Sequence, residues 1–293
     1  LLLKGDIERF LYFYLFFLKD AFIKGSHGKS FLDQVLEGST HYATELSDLL
    51  KEKVFEEIFP HLARGFLHHR NAEQGIKEET EETLKTIYNG TLTLLYRLLF
   101  ILYAEDRDLL PVKDAGYLHY SLANIKQKVA DLRDKKATLS ELSTDLWSDL
   151  DTLFKIIDLG DPKLNVPTYN GGLFSHKNPK NDFLKSNKVP DPWLTKAIDH
   201  LTREQDKETG KPQSIDYSEL EVRHLGSIYE GLLEFHLKIA AEDKALVKEK
   251  GREVYKALAE VKNPKEIVKK GEFYLENDKH ERKSTGSYYT PDY

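Results

Sequence analysis

Near its C-terminus the chain reads Ser284-Thr285-Gly286-Ser287-Tyr288-Tyr289-Thr290-Pro291-Asp292. Threonine is a good helix N-cap, and proline at the first helical position has a preset φ and no N–H to leave unpaired. A helix start is therefore predicted at Pro291, reached through a turn that Gly286 permits. The free N–H groups of such a start suit a carboxylate or a phosphate. Asp292 would compete for the same groups with its own charge. Tyr288 and Tyr289 have a plainer reading, in which they pack the preceding segment onto the helical region.

Other constellations are weaker. Pro190-Asp191 and Glu260-Val261-Lys262 match the letters of a divalent-cation nuclease site, whose hard oxygen ligands sit on paired strands. Glu260 lies in a helical pattern and the separation is long, so a chance match is the better reading. Glu105-Asp106-Arg107-Asp108 is a carboxylate cluster. It is expected to cap a buried helix, with Arg107 pairing locally. His68-His69-Arg70 has no partner histidine at i+4, so a solvated helix end is expected rather than a metal site. No metal ligands are assigned. Phosphate-cradling glycine loops and the Gly-x-Ser-x-Gly elbow are absent from the sequence. Lys279, Arg282 and Lys283 cluster with aromatics and form a candidate DNA-contacting face, diluted by Glu276 and Glu281.

These residues need elements to position them. The chain has 293 residues, 40% hydrophobic and 31% charged, with a formal charge of -6. That balance excludes collagen, mucin, a wholly disordered acidic tail and a histone-like basic coat. The absence of cysteine excludes disulfides, thiolate zinc sites and a cysteine nucleophile. It fits a reducing compartment, and a cytoplasmic location is expected. With Leu at position 1 and no methionine, the sequence reads as a piece of a longer chain. The apolar run 10–18 is too short for a bilayer, which needs about 20 residues. No membrane partner is expected, and a helix buried in the core is predicted there.

Leu46, Leu49, Leu50, Val54 and Ile58 form one helical face, and Pro60 marks a break or kink after it. From Leu84 to Leu102 apolar residues recur nearly all round, which predicts the central helix of a bundle. Amphipathic helices are expected over 121–133 and 139–157. Prolines and Asn170-Gly171-Gly172 make 160–192 loop-rich. A short helix is expected at 193–201 and a polar, mobile stretch at 205–214. Helical periodicity resumes from Leu220 through Phe235 and Leu237, followed by a Lys/Glu-rich helix over 240–261. Residues 272–275 and 279–283 flank the turn-forming pair Asn277-Asp278 and predict a β-hairpin. The fold class is mainly α: a multi-helix bundle with a short C-terminal β-hairpin. Three units are expected: a bundle over 1–160, a loop-rich then helical connector over 161–270, and the hairpin with its motif over 271–293.

The segment Gly286-Ser287-Tyr288-Tyr289-Thr290-Pro291, preceded by Arg282-Lys283-Ser284-Thr285, resembles motif X of gamma-class N6-adenine DNA methyltransferases. Three upstream stretches are similar to the helical region before motif X in type IIG restriction-modification enzymes. They are Arg97-Leu98-Leu99-Phe100-Ile101-Leu102-Tyr103-Ala104-Glu105-Asp106-Arg107, Tyr169-Asn170-Gly171-Gly172-Leu173-Phe174, and Leu225-Gly226-Ser227-Ile228-Tyr229-Glu230-Gly231-Leu232-Leu233-Glu234. The resemblance runs from about Leu84 onward. It implies S-adenosylmethionine as cofactor, contacted by Thr285, Gly286, Ser287, Tyr288, Tyr289, Thr290 and Pro291, and double-stranded DNA as partner. It also implies that the chain leads into an α/β methyltransferase domain. Mg2+ would enter only with a nuclease domain attached upstream. The family's Asp-Pro-x-x-Gly-Ser-Gly and Asn-Pro-Pro-Tyr motifs are absent, so the expected role of this stretch is that of a helical connector without a catalytic set. The alternative is a non-enzymatic helical scaffold that binds DNA or a protein partner.

Overall fold

The computed structural model describes residues 4–277, excepting 26, 77, 78, 170, 207, 208, 234, 250 and 251. Helices α1 (Lys4–Phe17), α2 (Phe31–Lys53), α3 (Phe59–Gln74) and α4 (Glu81–Asp106) come first. The short α5 (Ala115–Leu118), then α6 (Leu122–Asp134), α7 (Asp145–Leu159), the short α8 (Asp182–Ser186) and α9 (Asp191–Thr202) follow. Strands β1 (Arg203–Gln205) and β2 (Pro212–Ser214) precede α10 (Val222–Leu232). The remainder is β3 (Phe235–Ile239), β4 (Lys244–Glu249), β5 (Arg252–Ala257), β6 (Glu266–Val268) and β7 (Phe273–Asn277). The fold is mainly helical with short antiparallel strands at the C-terminal end, as the sequence predicts.

Local chemistry sets most boundaries. Ser30 and Asp33 form a reciprocal capping box at α2, with Asp33 N–H donating to Ser30 Oγ at 3.1 Å and Ser30 N–H to Asp33 Oδ2 at 2.9 Å. Thr80 caps α4 and Ser121 caps α6. At Pro60 the chain neither breaks nor turns. A π-helical turn, Val54–Ile58, joins α2 to α3, and the proline occupies the first turn of α3, where a missing N–H costs little. Helix α4 is buried nearly all round, as expected for the centre of a bundle. It is long and apolar enough to cross a membrane, but 72% of its most apolar window is buried inside the fold. Gly90 on α4 lets Phe183 of α8 lie against the backbone, where an added Cβ would stand 2.1 Å from the ring. One apolar core extends from Leu46 to Leu237, and a small second cluster joins Ala240, Val268 and Tyr274.

Several expectations are corrected. The run 10–18 is helical through Phe17 but not buried: Tyr12 is 67% and Phe17 68% exposed. An all-apolar run has no polar face to show whether another element covers it. The 240–261 stretch is not a helix; β4 and β5 pair with Leu246 opposite Tyr255 and Val247 opposite Val254. Those β-branched and aromatic residues outweigh the helix-forming lysines and glutamates around them. Phe235 and Leu237 lie in β3 rather than in a continuing helix. The 205–214 stretch contributes to a short ladder, Arg203 opposite Ser214 and Gln205 opposite Pro212. Of the predicted arm 272–275, residues 273–275 form a strand, but β7 pairs antiparallel with β3 and runs on through Asn277, opposite Phe235, where the sequence placed the turn. The other predicted arm, 279–283, lies outside the described residues.

Candidate functional site

Thr285, Gly286, Ser287, Tyr288, Tyr289, Thr290 and Pro291 all lie outside the described residues, as do Lys279, Arg282 and Lys283. The described part of the site is the framework that leads to them. Its centre is α4, where the three upstream stretches meet.

Arg97 is 6% exposed. Its Nε donates to the carbonyl of Leu173 at 2.9 Å, and its guanidinium lies 5.0 Å from the Phe154 ring centroid and 5.5 Å from that of Phe174. Burial pulls its pKa down to about 10, opposed by the charges of Asp158 and Asp151, so it stays cationic at neutral pH. Phe100, one turn on, packs edge-on against Tyr169 and Phe174. Asn181 holds the Gly172–Ser175 backbone by donating to the carbonyls of Gly172, Leu173 and Ser175. On a second face of α4, Tyr96 packs against Tyr229 of α10 with ring centroids 4.9 Å apart, and Tyr88 donates to the carbonyl of Leu232. Burial raises the Tyr96 hydroxyl, which is buried without a hydrogen-bond partner. A guanidinium clamped between phenyl rings and a carbonyl orders a loop; it does not present itself as a catalyst.

The acidic end of α4 is structural. Both oxygens of Glu105 are used: Oε1 accepts from Tyr117 Oη at 2.9 Å and Leu122 N at 2.8 Å, and Oε2 from Ala123 N at 2.8 Å. It therefore caps α6 from across the fold. Burial raises its pKa, against the bonds from Tyr117, Leu122 and Ala123. Asp106 accepts from Tyr217 N at 2.9 Å. The expectation that Arg107 pairs locally is corrected: it donates to the carbonyls of Ser218 and Leu220, at 2.9 and 3.0 Å. Long side chains reach partners that no sequence window shows.

Asp191 caps α7 in the same way, accepting from Asp145 N at 3.2 Å and Leu146 N at 3.0 Å. Its carboxylate is thus committed to a helix end and does not support the nuclease match. His68 and His69 are not a solvated helix end. They lie inside α3, where His69 is buried and His68 packs on Trp193 at 4.4 Å. Arg70 makes a two-point pair with Glu79. Among the described residues no group of three His, Asp or Glu side chains could hold a metal.

A groove of about 990 Å3 opens between the α2–α3 junction and the C-terminal strands. Phe55 and Phe235 meet in it at 4.6 Å, and Arg64 lies over the Phe273 ring. Glu52, Glu56, Glu57, Glu266 and Glu276 outnumber Arg64 and Lys265 in its lining, so its net field disfavours phosphate. Sequence reasoning missed this groove because its walls come from residues about 200 positions apart. It also missed the role of Arg97, for which the signal was a lone arginine inside an apolar helix.

Comparison with protein-family models, with curated proteins and with solved structures gave no match.

Proposed function

We propose that this chain is the helical connector and first cofactor motif of a DNA N6-adenine methyltransferase of the restriction-modification kind, acting in the cytoplasm on double-stranded DNA with S-adenosylmethionine. The observation that carries the reading is the convergence on α4. The stretches beginning at Arg97 and Tyr169 pack on one another through Arg97–Leu173 and Phe100–Phe174, and the stretch beginning at Leu225 joins the same helix through Tyr229 against Tyr96, the residue just before Arg97, and through Leu232 against Tyr88.

In this reading the hub is a rigid support. Strand β7, paired with β3 immediately after α10, carries the chain toward Lys279 and the 285–291 motif. S-adenosylmethionine supplies the methyl group, and the backbone N–H groups at Pro291 would hold its carboxylate. Lys279, Arg282 and Lys283 would contact DNA phosphates. Mg2+ would be required only by an attached nuclease.

The test uses the intact protein, incubated with labelled S-adenosylmethionine and mixed-sequence duplex DNA. Label is expected on adenine N6, and Gly286→Val is expected to weaken cofactor binding in calorimetry at an unchanged melting temperature. A changed melt with unchanged cofactor affinity would make the turn structural. No label on DNA, together with no cofactor heat, would leave the scaffold reading.

A further inference from the structure

A second cavity, of about 430 Å3, lies between the C-terminal end of α6 and the first turns of α9. Arg133, Lys136 and Lys196 line it, with Thr195 beside them and Leu139 and Pro192 as apolar walls. Arg133 donates through Nε to Asp199 at 3.0 Å, and Asp199 is shared with Arg203 at 2.6 Å. Arg203 also engages Asp134. Those two carboxylates are thus occupied by two guanidiniums. Lys136 and Lys196 have no ion-pair partner among the described residues.

Thr195 adds an independent signal. The residue is 2% exposed, and its Oγ1 is buried without a hydrogen-bond partner. Other helical threonines of this chain, such as Thr91, Thr152 and Thr202, donate to the carbonyl four residues back. Thr195 does not, so a buried hydroxyl is left without a partner beside a cavity lined with cations.

Lys136 is unusual in its backbone. Helix α6 ends with Ala137 N–H bonded to the carbonyl of Leu132 and Lys136 N–H to that of Arg133. That pattern places Lys136 at the left-handed position, with φ 50°, where glycine is favoured. A lysine there holds its chain in a conformation that costs stability. The local field agrees: His61 is held neutral by burial first, with Lys196, Arg64 and Arg133 adding to the effect.

We propose that this cavity binds a phosphate ester. Lys136, Lys196 and the edge of Arg133 not used on Asp199 take the phosphate charge, and Thr195 Oγ1 donates to a phosphate oxygen. The apolar walls take the adjoining carbon skeleton. The proposal stands apart from the methyltransferase reading, and the phosphate could belong to a free nucleotide or to a DNA backbone.

The 293-residue chain is titrated by calorimetry with adenosine 5′-monophosphate and, separately, with a short mixed-sequence duplex. The variants are Thr195→Val, which keeps the side-chain volume, and Lys136→Gly. Each is expected to lower affinity about tenfold for whichever probe the site takes, as the loss of a hydrogen bond to a charged group implies. Lys136→Gly is also expected to raise the melting temperature while it weakens binding, because glycine relieves the left-handed backbone. Loss confined to the nucleotide identifies a free ester, and loss confined to the duplex identifies a backbone phosphate. If neither probe binds, or if both variants bind as the parent does, the proposal is overturned. A lower melting temperature for Lys136→Gly with unchanged binding would show that Lys136 only complements the end of α6.

Discussion

His61 shows how a single residue can set the acid response of the fold. Burial holds its pKa down at about 4 from an ordinary 6.5, and Lys196, His200, Arg64 and Arg133 reinforce this. Its folded pKa lies below its unfolded one, so between pH 4 and 6.5 the unfolded chain binds the extra proton. Its contribution to stability is therefore complete above pH 6.5 and is lost as pH falls toward 4. His200, stacked on it and paired with Glu57, is lowered for the same reason, burial, against the opposing charges of Glu57 and Asp199. Thermal melts of His61→Leu are expected to show a smaller drop between pH 7 and pH 4.5 than the parent chain. An equal drop would place the acid sensitivity elsewhere. Asp158 works in the same direction at lower pH. Burial pushes it up, but bonds from His176 and the charge of Arg97 hold it below the usual carboxylate range. Its stabilisation is present above pH 3.8 and fades as pH falls below that value.

At the scale of elements, close approach decides how α4 sits. Gly90→Ala would place a methyl 2.1 Å from the Phe183 ring, which is itself held against Phe66 at 5.0 Å. The ring must shift, and overpacking of this kind costs about 1–3 kcal/mol. A lower denaturation midpoint with an unchanged slope is the expected result, and an unchanged midpoint would mean that α8 yields freely. Much of this level was legible in the sequence. The helix expected over 121–133 starts at its Ser121 cap, and the 3.6-residue period of 84–102 exposed α4 as a buried helix; the Ser30–Asp33 box and the Thr80 cap carry equally local chemistry but were not read from the sequence. What was not legible came from two physical sources. Caps supplied across the fold, Glu105 to α6 and Asp191 to α7, depend on tertiary packing and leave no local signature. In 240–261 lysine and glutamate fit a helix and a solvated strand face equally well, so Leu246, Val247, Val254 and Tyr255 had to be weighed as cross-strand pairs.

For the whole molecule, the distribution of charge matters more than its sum. The formal charge of -6 coexists with an acid-lined groove beside the C-terminal strands and a cation-lined cavity between α6 and α9. DNA is therefore expected to avoid the first and to meet basic positions elsewhere through its phosphates. Contacts of that kind go to phosphates and carry no base information. Counterion release then makes affinity fall steeply with salt, the logarithm of the binding constant dropping with that of salt by about 0.9 per phosphate neutralised. Fluorescence anisotropy with a mixed-sequence duplex is expected to give measurable binding at low salt and little near physiological salt, with no preference among sequences. Tight binding to one sequence at physiological salt would instead mean that the helical region reads base edges directly. The α4 hub would then need a surface role that its buried arginine and packed rings do not suggest.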